Sequence, residues 1–155
     1  MAHRVLLVAN RTLGSEEVAA AVRERVAAGG TELWIVVPVE VPQGQGAVSV
    51  AGAAPAGEIL PVRNRAPDAR AYDLAERRLQ EARDRFGALG VPVGGEVGDV
   101  DPFKAVSTAM GRHEFAEVVV STLPRAVSHW LRVDLPSRVH RRFKVPVTTV
   151  TGRDA

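Results

Sequence analysis

Three consecutive valines, Val118-Val119-Val120, open into the polar and basic segment Ser121-Thr122-Leu123-Pro124-Arg125-Ala126-Val127-Ser128-His129-Trp130-Leu131-Arg132-Val133-Asp134. An unbroken β-branched run has no polar face to offer water, so it fits a strand covered on both sides, as in a parallel sheet. Any ligand is expected on the loop that such a strand delivers.

The run Glu117–Ser121 has four companions. Arg4–Ala9 and Glu32–Val39 are apolar nearly throughout, and Pro38 has to lie at the end of its strand because it lacks a ladder donor. Val91–Gly98 is weaker; its proline and glycines suit a sheet edge. Val145–Val150 is the fifth.

Between these runs the apolar period changes to that of a helix. Ser15 is placed to cap a helix with Glu16 and Glu17 in its first turn, an apolar stripe of Val18, Ala19, Val22 and Val26, and a stop at Gly29-Gly30. Asp68 to Leu89 repeats through Ala71, Leu74, Ala75, Leu79, Ala82, Phe86 and Leu89, with Glu81 and Arg85 spaced for an ion pair and Gly90 at the end. Asp101 and Pro102 start a third helix through Val106 and Met110, and Asp134 or a near neighbour caps a fourth containing Val139 and Phe143. Val41 to Pro67, rich in Gly, Pro and Ala and without period, reads as a long flexible loop.

Five strands alternating with four helices predict an α/β fold, an open doubly wound five-stranded parallel sheet with helices on both faces. At 155 residues one domain, 1–155, is expected. Cysteine is absent, which removes disulfides, a thiolate nucleophile and structural zinc. No apolar run approaches the roughly 20 residues of a membrane span, so no membrane contact and a cytoplasmic address are expected. A net charge of +2 is too small to imply nucleic acid, despite a pI of 9.6. Arg125, Arg132, Arg138, Arg141, Arg142 and Lys144, set against the single acid Asp134, read as a solvated basic helix face.

The ending Arg138-Val139-His140-Arg141-Arg142-Phe143-Lys144-Val145-Pro146-Val147-Thr148-Thr149-Val150, with the strand and turn Glu117–Thr122, resembles the universal stress protein family. The similarity runs from the first strand to the fifth and is poorest over 41–67. The opening Ser121-Thr122-Leu123-Pro124 is similar to that of an actinobacterial group within the family. The resemblance implies strand order 3-2-1-4-5, with a topological switch between strands 1 and 4 outside whose carboxyl ends ligands bind. It also implies an acid at the end of strand 1, near adenosine, and a phosphate loop G-x2-G-x9-G-[ST] after strand 4.

Here the sequence departs from the family. Asn10 stands where the acid is expected; it suits either a ribose or base contact or a satisfied turn. Ser121 and Pro124 fall at the first two glycine positions and Val133 or Asp134 at the third, and no glycine occurs from Val118 to Thr151. Glycine brings backbone N–H groups close to phosphate, whereas proline has none to donate and an acid competes for the helix dipole. ATP binding in the family manner is therefore not expected.

The expected ligand cleft comprises Asn10, Thr12, Ser121, Thr122, Arg125, Ser128, Trp130 and Arg132. Its hydroxyls and guanidinium groups could hold adenine nucleotide, phosphate or another small anion. Trp130 either packs under the loop or lines the cleft, with packing favoured. Ser128, His129 and Asp134 are the ingredients of a hydrolase triad, but no G-x-S-x-G elbow accompanies them. His3, His113, His129 and His140 show no metal-ligand spacing, and Asp99 with Asp101 reads as a turn and helix cap. The last strand would be an edge, so a homodimer through Val145, Val147 and Thr149 is expected. A non-enzymatic binding or regulatory module follows; slow ATP hydrolysis in the same cleft and a purely protein-interaction domain are the alternatives.

Overall fold

Alternate side chains of the first apolar run go to opposite faces: Val5 and Leu7 to one core, Leu6 and Val8 to another. With no polar side to wet, that strand sits at the centre of the sheet. The structure is a computed structural model and describes residues 3–40, 69–124 and 128–153, with Arg132 described by its backbone alone. The expected loop at 41–67 and Arg125 lie outside the described residues.

The elements are β1 (His3–Val8), α1 (Glu16–Ala27), β2 (Thr31–Pro38), α2 (Ala69–Gly87), β3 (Val93–Gly98), α3 (Pro102–Arg112), β4 (Glu117–Thr122), the single turn α4 (His129–Arg132), α5 (Leu135–Phe143) and β5 (Val147–Thr151). All strand pairs are parallel and the order is β3-β2-β1-β4-β5, the expected doubly wound sheet. Pro38 is the last residue of β2 and β3 is an edge, both as expected.

One core lies under α1 and α2, where Val18, Val22, Ala75, Leu79 and Phe86 meet Val5, Leu7, Ile35 and Val119. The other lies under α3 and α5, where Val106, Leu135 and Val139 meet Leu6, Val8, Val36, Val118 and Val120. Each fully buried aliphatic side chain contributes about 1.5 to 3 kcal/mol relative to exposure, so most of the sheet's burial energy lies in β2, β1 and β4.

The caps follow the chemistry of the sequence. Ser15 Oγ accepts from Val18 N–H, and the Asp101 carboxylate accepts from Phe103 and Lys104 N–H with Pro102 in the first turn. Asp99 accepts from Asp101 N–H, so this pair is a turn and a cap. Other expectations are corrected. Leu74 and Leu89 are each 39% exposed, because the buried stripe of α2 runs through Ala71, Ala75, Leu79, Ala82 and Phe86 and leaves them at its margin. Arg85 does not reach along its own helix to Glu81; it crosses to the Gly14 carbonyl and to Glu16. Asp134 occupies the cap position of α5 with φ 54°, a left-handed backbone, and its side chain makes no capping bond. The fifth strand begins at Val147, after Pro146, whose carbonyl accepts from Val118 N–H.

At two β3 positions the helices approach closely enough to require glycine. A Cβ on Gly95 would lie 2.6 Å from the Ile35 carbonyl oxygen and 2.6 Å from Leu79 Cδ1, and one on Gly98 would lie 2.6 Å from Ala105 Cβ. By contrast, nothing lies within 4 Å of a Cβ on Gly111, inside α3. Gly95→Ala is expected to cost about 1 to 3 kcal/mol through overpacking. Gly111→Ala should stabilise by up to about 1 kcal/mol through helix propensity. Urea unfolding midpoints of the two variants check both signs.

Candidate functional site

Beyond Val8 and Val120 the two central strands leave the apolar layers, and the chain departs to opposite faces: from β1 into α1, from β4 into α4 and α5. This is the topological switch at the carboxyl ends of the strands, where open α/β sheets bind ligands. Asn10, Thr12, Ser15, Ser121 and Thr122 converge there, and all five are buried.

Their polar atoms are mostly spent on each other. The hydroxyls of Thr12 and Ser121 lie 2.6 Å apart, tying the loop after β1 to the end of β4. That loop is itself turned by Leu13 N–H bonding the Asn10 carbonyl and Ser15 N–H bonding the Thr12 carbonyl. Asn10 is 3% exposed; its Nδ2 donates to the Pro38 carbonyl at 2.6 Å and its Oδ1 accepts from Arg78 of α2. Asn10 is thus a satisfied turn residue, one of its two expected roles.

The exit of β5 closes the crevice from the side. Gly152 N–H donates to the Thr122 carbonyl at 2.8 Å, and a Cβ on Gly152 would stand 2.7 Å from Ser15 Oγ and 3.2 Å from Thr12 Cβ. Only a glycine passes there. Glu17, in the first turn of α1, faces Arg153 at 3.8 Å. Next to it, Arg23 hydrogen-bonds Glu16 and, with Arg85 adding its charge, holds that carboxyl below the ordinary carboxylate range.

On the other side of β4, Ser128 Oγ accepts from Leu131 N–H and so caps α4, which fixes the side chain at the helix start. Among the described residues no hydrogen bond joins Ser128 to His129 or Asp134. Trp130 is 8% exposed and belongs to the core cluster of Leu6, Val8, Val120 and Leu135. Arg132 closes α4 through its backbone position. Thr122 Oγ1 is buried and has no hydrogen-bond partner among the described residues. Of the expected cleft residues the structure therefore brings together Asn10, Thr12, Ser121 and Thr122, and sets Ser128 and Trp130 apart as supports of the α4 turn.

Sequence reasoning missed Arg78 and Gly152. Nothing distinguishes Arg78 from Arg70, Arg77 and Arg83 on the same helix, and Gly152 lies after the last strand pattern. Among the described residues no cluster of His, Cys, Asp and Glu could hold a metal ion, and no helix is long and apolar enough to cross a membrane. Val147 and Thr149 lie on β5, the outer strand of the sheet, whereas Val145 precedes it; its carbonyl is 2.9 Å from His140 Nδ1.

Ser121→Ala strands the Thr12 hydroxyl in a buried site and is expected to cost about 1 to 2 kcal/mol. Thr122→Val removes a hydroxyl that has no partner and is expected to be neutral or stabilising by up to about 1 kcal/mol. Chemical denaturation of both variants checks this, and an equal loss from the two would show that Thr122 Oγ1 is paired.

No family model matches the sequence, and no curated protein sequence matches it. Solved structures do. A universal stress protein in complex with cAMP superposes with a TM-score of 0.57 at 20% identity, covering 97% of this chain and 98% of that one. A universal stress protein family protein from Arabidopsis thaliana with AMP bound gives 0.58 at 10% identity, over 97% and 92% of the two chains. The universal stress protein from Archaeoglobus fulgidus gives 0.61 at 10% identity, over 97% and 95%. The chain has the universal stress protein fold.

Proposed function

We propose that this chain is a universal stress protein-like, cytoplasmic and non-enzymatic regulatory module whose switch-point crevice does not cradle ATP in the usual family manner. The observation that supports this reading most is the Thr12–Ser121 hydroxyl pair, a buried hydrogen bond between two side chains that would otherwise face a ligand, which spends one of their two O–H donors. The glycine-free stretch Val118–Thr151 supports it too, since a phosphate nest needs bare backbone N–H groups and Pro124 has none. Ser128 is committed to capping and Trp130 to the core, so the loop offers no substitute nest from those positions.

Proteins of the same fold hold cAMP and AMP, each with a single phosphate. A ligand of that size, or phosphate itself, asks less of the loop than a triphosphate does. Slow ATP hydrolysis would need the terminal phosphates held, and the glycine-free loop after β4 supplies no backbone nest for them.

The open edge of β5 supports a homodimer, with Val147 and Thr149 on the pairing strand and Val145 at its approach. Sedimentation at micromolar concentration is expected to show a dimer and Thr149→Lys a monomer; a monomeric parent chain would contradict the pairing. Calorimetric titration tests the ligand reading. ATP with magnesium should bind no more tightly than AMP and release no phosphate, while a clear preference for ATP, with turnover, would overturn it.

A further inference from the structure

Asn10 has one possible orientation. The Pro38 carbonyl can only accept and the Arg78 guanidinium can only donate, so Nδ2 faces the first and Oδ1 the second. The amide is 3% exposed and pinned at both ends. It therefore acts as a fixed bracket that holds the half-buried Arg78 at the carboxyl ends of β1 and β2.

What the bracket does not do is neutralise the charge. The other part-buried arginine with a side-chain partner of this kind, Arg25, meets a carboxylate, that of Glu117. Among the described residues no carboxylate pairs with Arg78; its hydrogen bond goes to a neutral amide. A guanidinium carries five N–H donors in a planar fork suited to two oxygens of one anion, and among the described residues one hydrogen bond of Arg78 is made, to Asn10.

We propose that Arg78, positioned by Asn10, is the anion-holding group of this crevice and takes a phosphate or phosphomonoester oxyanion. This rests on the reading above that the β4 loop does not cradle phosphates, and it names the side chain that does the work instead. Asn at position 10 is part of the device. An aspartate there would pair with the guanidinium in place of the ligand, so neutrality at 10 leaves the cation free for an external anion.

The experiment uses the full chain with inorganic phosphate and with AMP, at constant ionic strength, in parent, Arg78→Gln, Arg78→Lys and Asn10→Asp forms. Both anions are expected to raise the melting temperature of the parent saturably. Arg78→Gln should abolish the shift, and Arg78→Lys, which keeps charge but not the fork, should weaken affinity by about tenfold. Asn10→Asp is the decisive arm: it sets a carboxylate against the guanidinium and should lose the anion response, and because it also loses the donor to the Pro38 carbonyl, its ligand-free melting temperature is expected to fall and serves as its own baseline. Equal responses in the parent and Asn10→Asp, or no response in the parent, would overturn the proposal. Either result leaves the comparison of ATP with AMP intact, and ATP binding far more tightly than AMP would strike the reading of the β4 loop independently.

Discussion

A strand buried on both faces imposes a debt at its carboxyl end, where the chain must turn into polar residues while still shielded from water. β1 and β4 both meet that condition, since Leu6, Leu7, Val8, Val118 and Val120 are buried and the residues that follow remain so. Unpaired buried polar groups cost about 1 to 3 kcal/mol each, so the hydroxyls and amide at this point must find partners. Most find them within the chain, Thr12 with Ser121, Asn10 with Pro38 and Arg78, Gly152 with the Thr122 carbonyl, while the Thr122 hydroxyl has none among the described residues. A ligand crevice and a self-satisfied turn are alternative solutions to one constraint. Here most of the groups have taken the second.

The glycines make the same point from the side of sterics. A nucleotide cradle uses glycine where backbone approaches phosphate. In this chain the glycines that matter for close approach sit elsewhere, at Gly95 and Gly98 on the edge strand, where they admit α2 and α3, and at Gly152, where the exit of β5 slips past Ser15. The space they create is filled by protein.

Much of this was legible beforehand. Continuous apolar runs such as Val118-Val119-Val120 have only one sensible environment, and the caps at Ser15 and Asp101 follow from side chains that can accept from free N–H groups. Convergence of Asn10, Thr12, Ser121 and Thr122 followed from topology, because the strand order puts the ends of β1 and β4 side by side. Partner choice was not legible. Whether Thr12 and Ser121 face a ligand or each other depends on a fraction of a turn in the backbone, and Arg78 is one arginine of several on a helix whose rotation only packing sets. Trp130 and Ser128 sat in the right loop but were recruited by the core and by a helix start, local demands that residue type alone leaves open.

Native mass spectrometry of the protein purified from its host addresses the state of the crevice most directly, because an ATP held by a proper cradle survives isolation with the chain. A self-satisfied crevice predicts subunits that carry no ATP, with at most a phosphate or a mononucleotide attached. One ATP retained per subunit would contradict it, and would mean that the Thr12–Ser121 pair opens to make room.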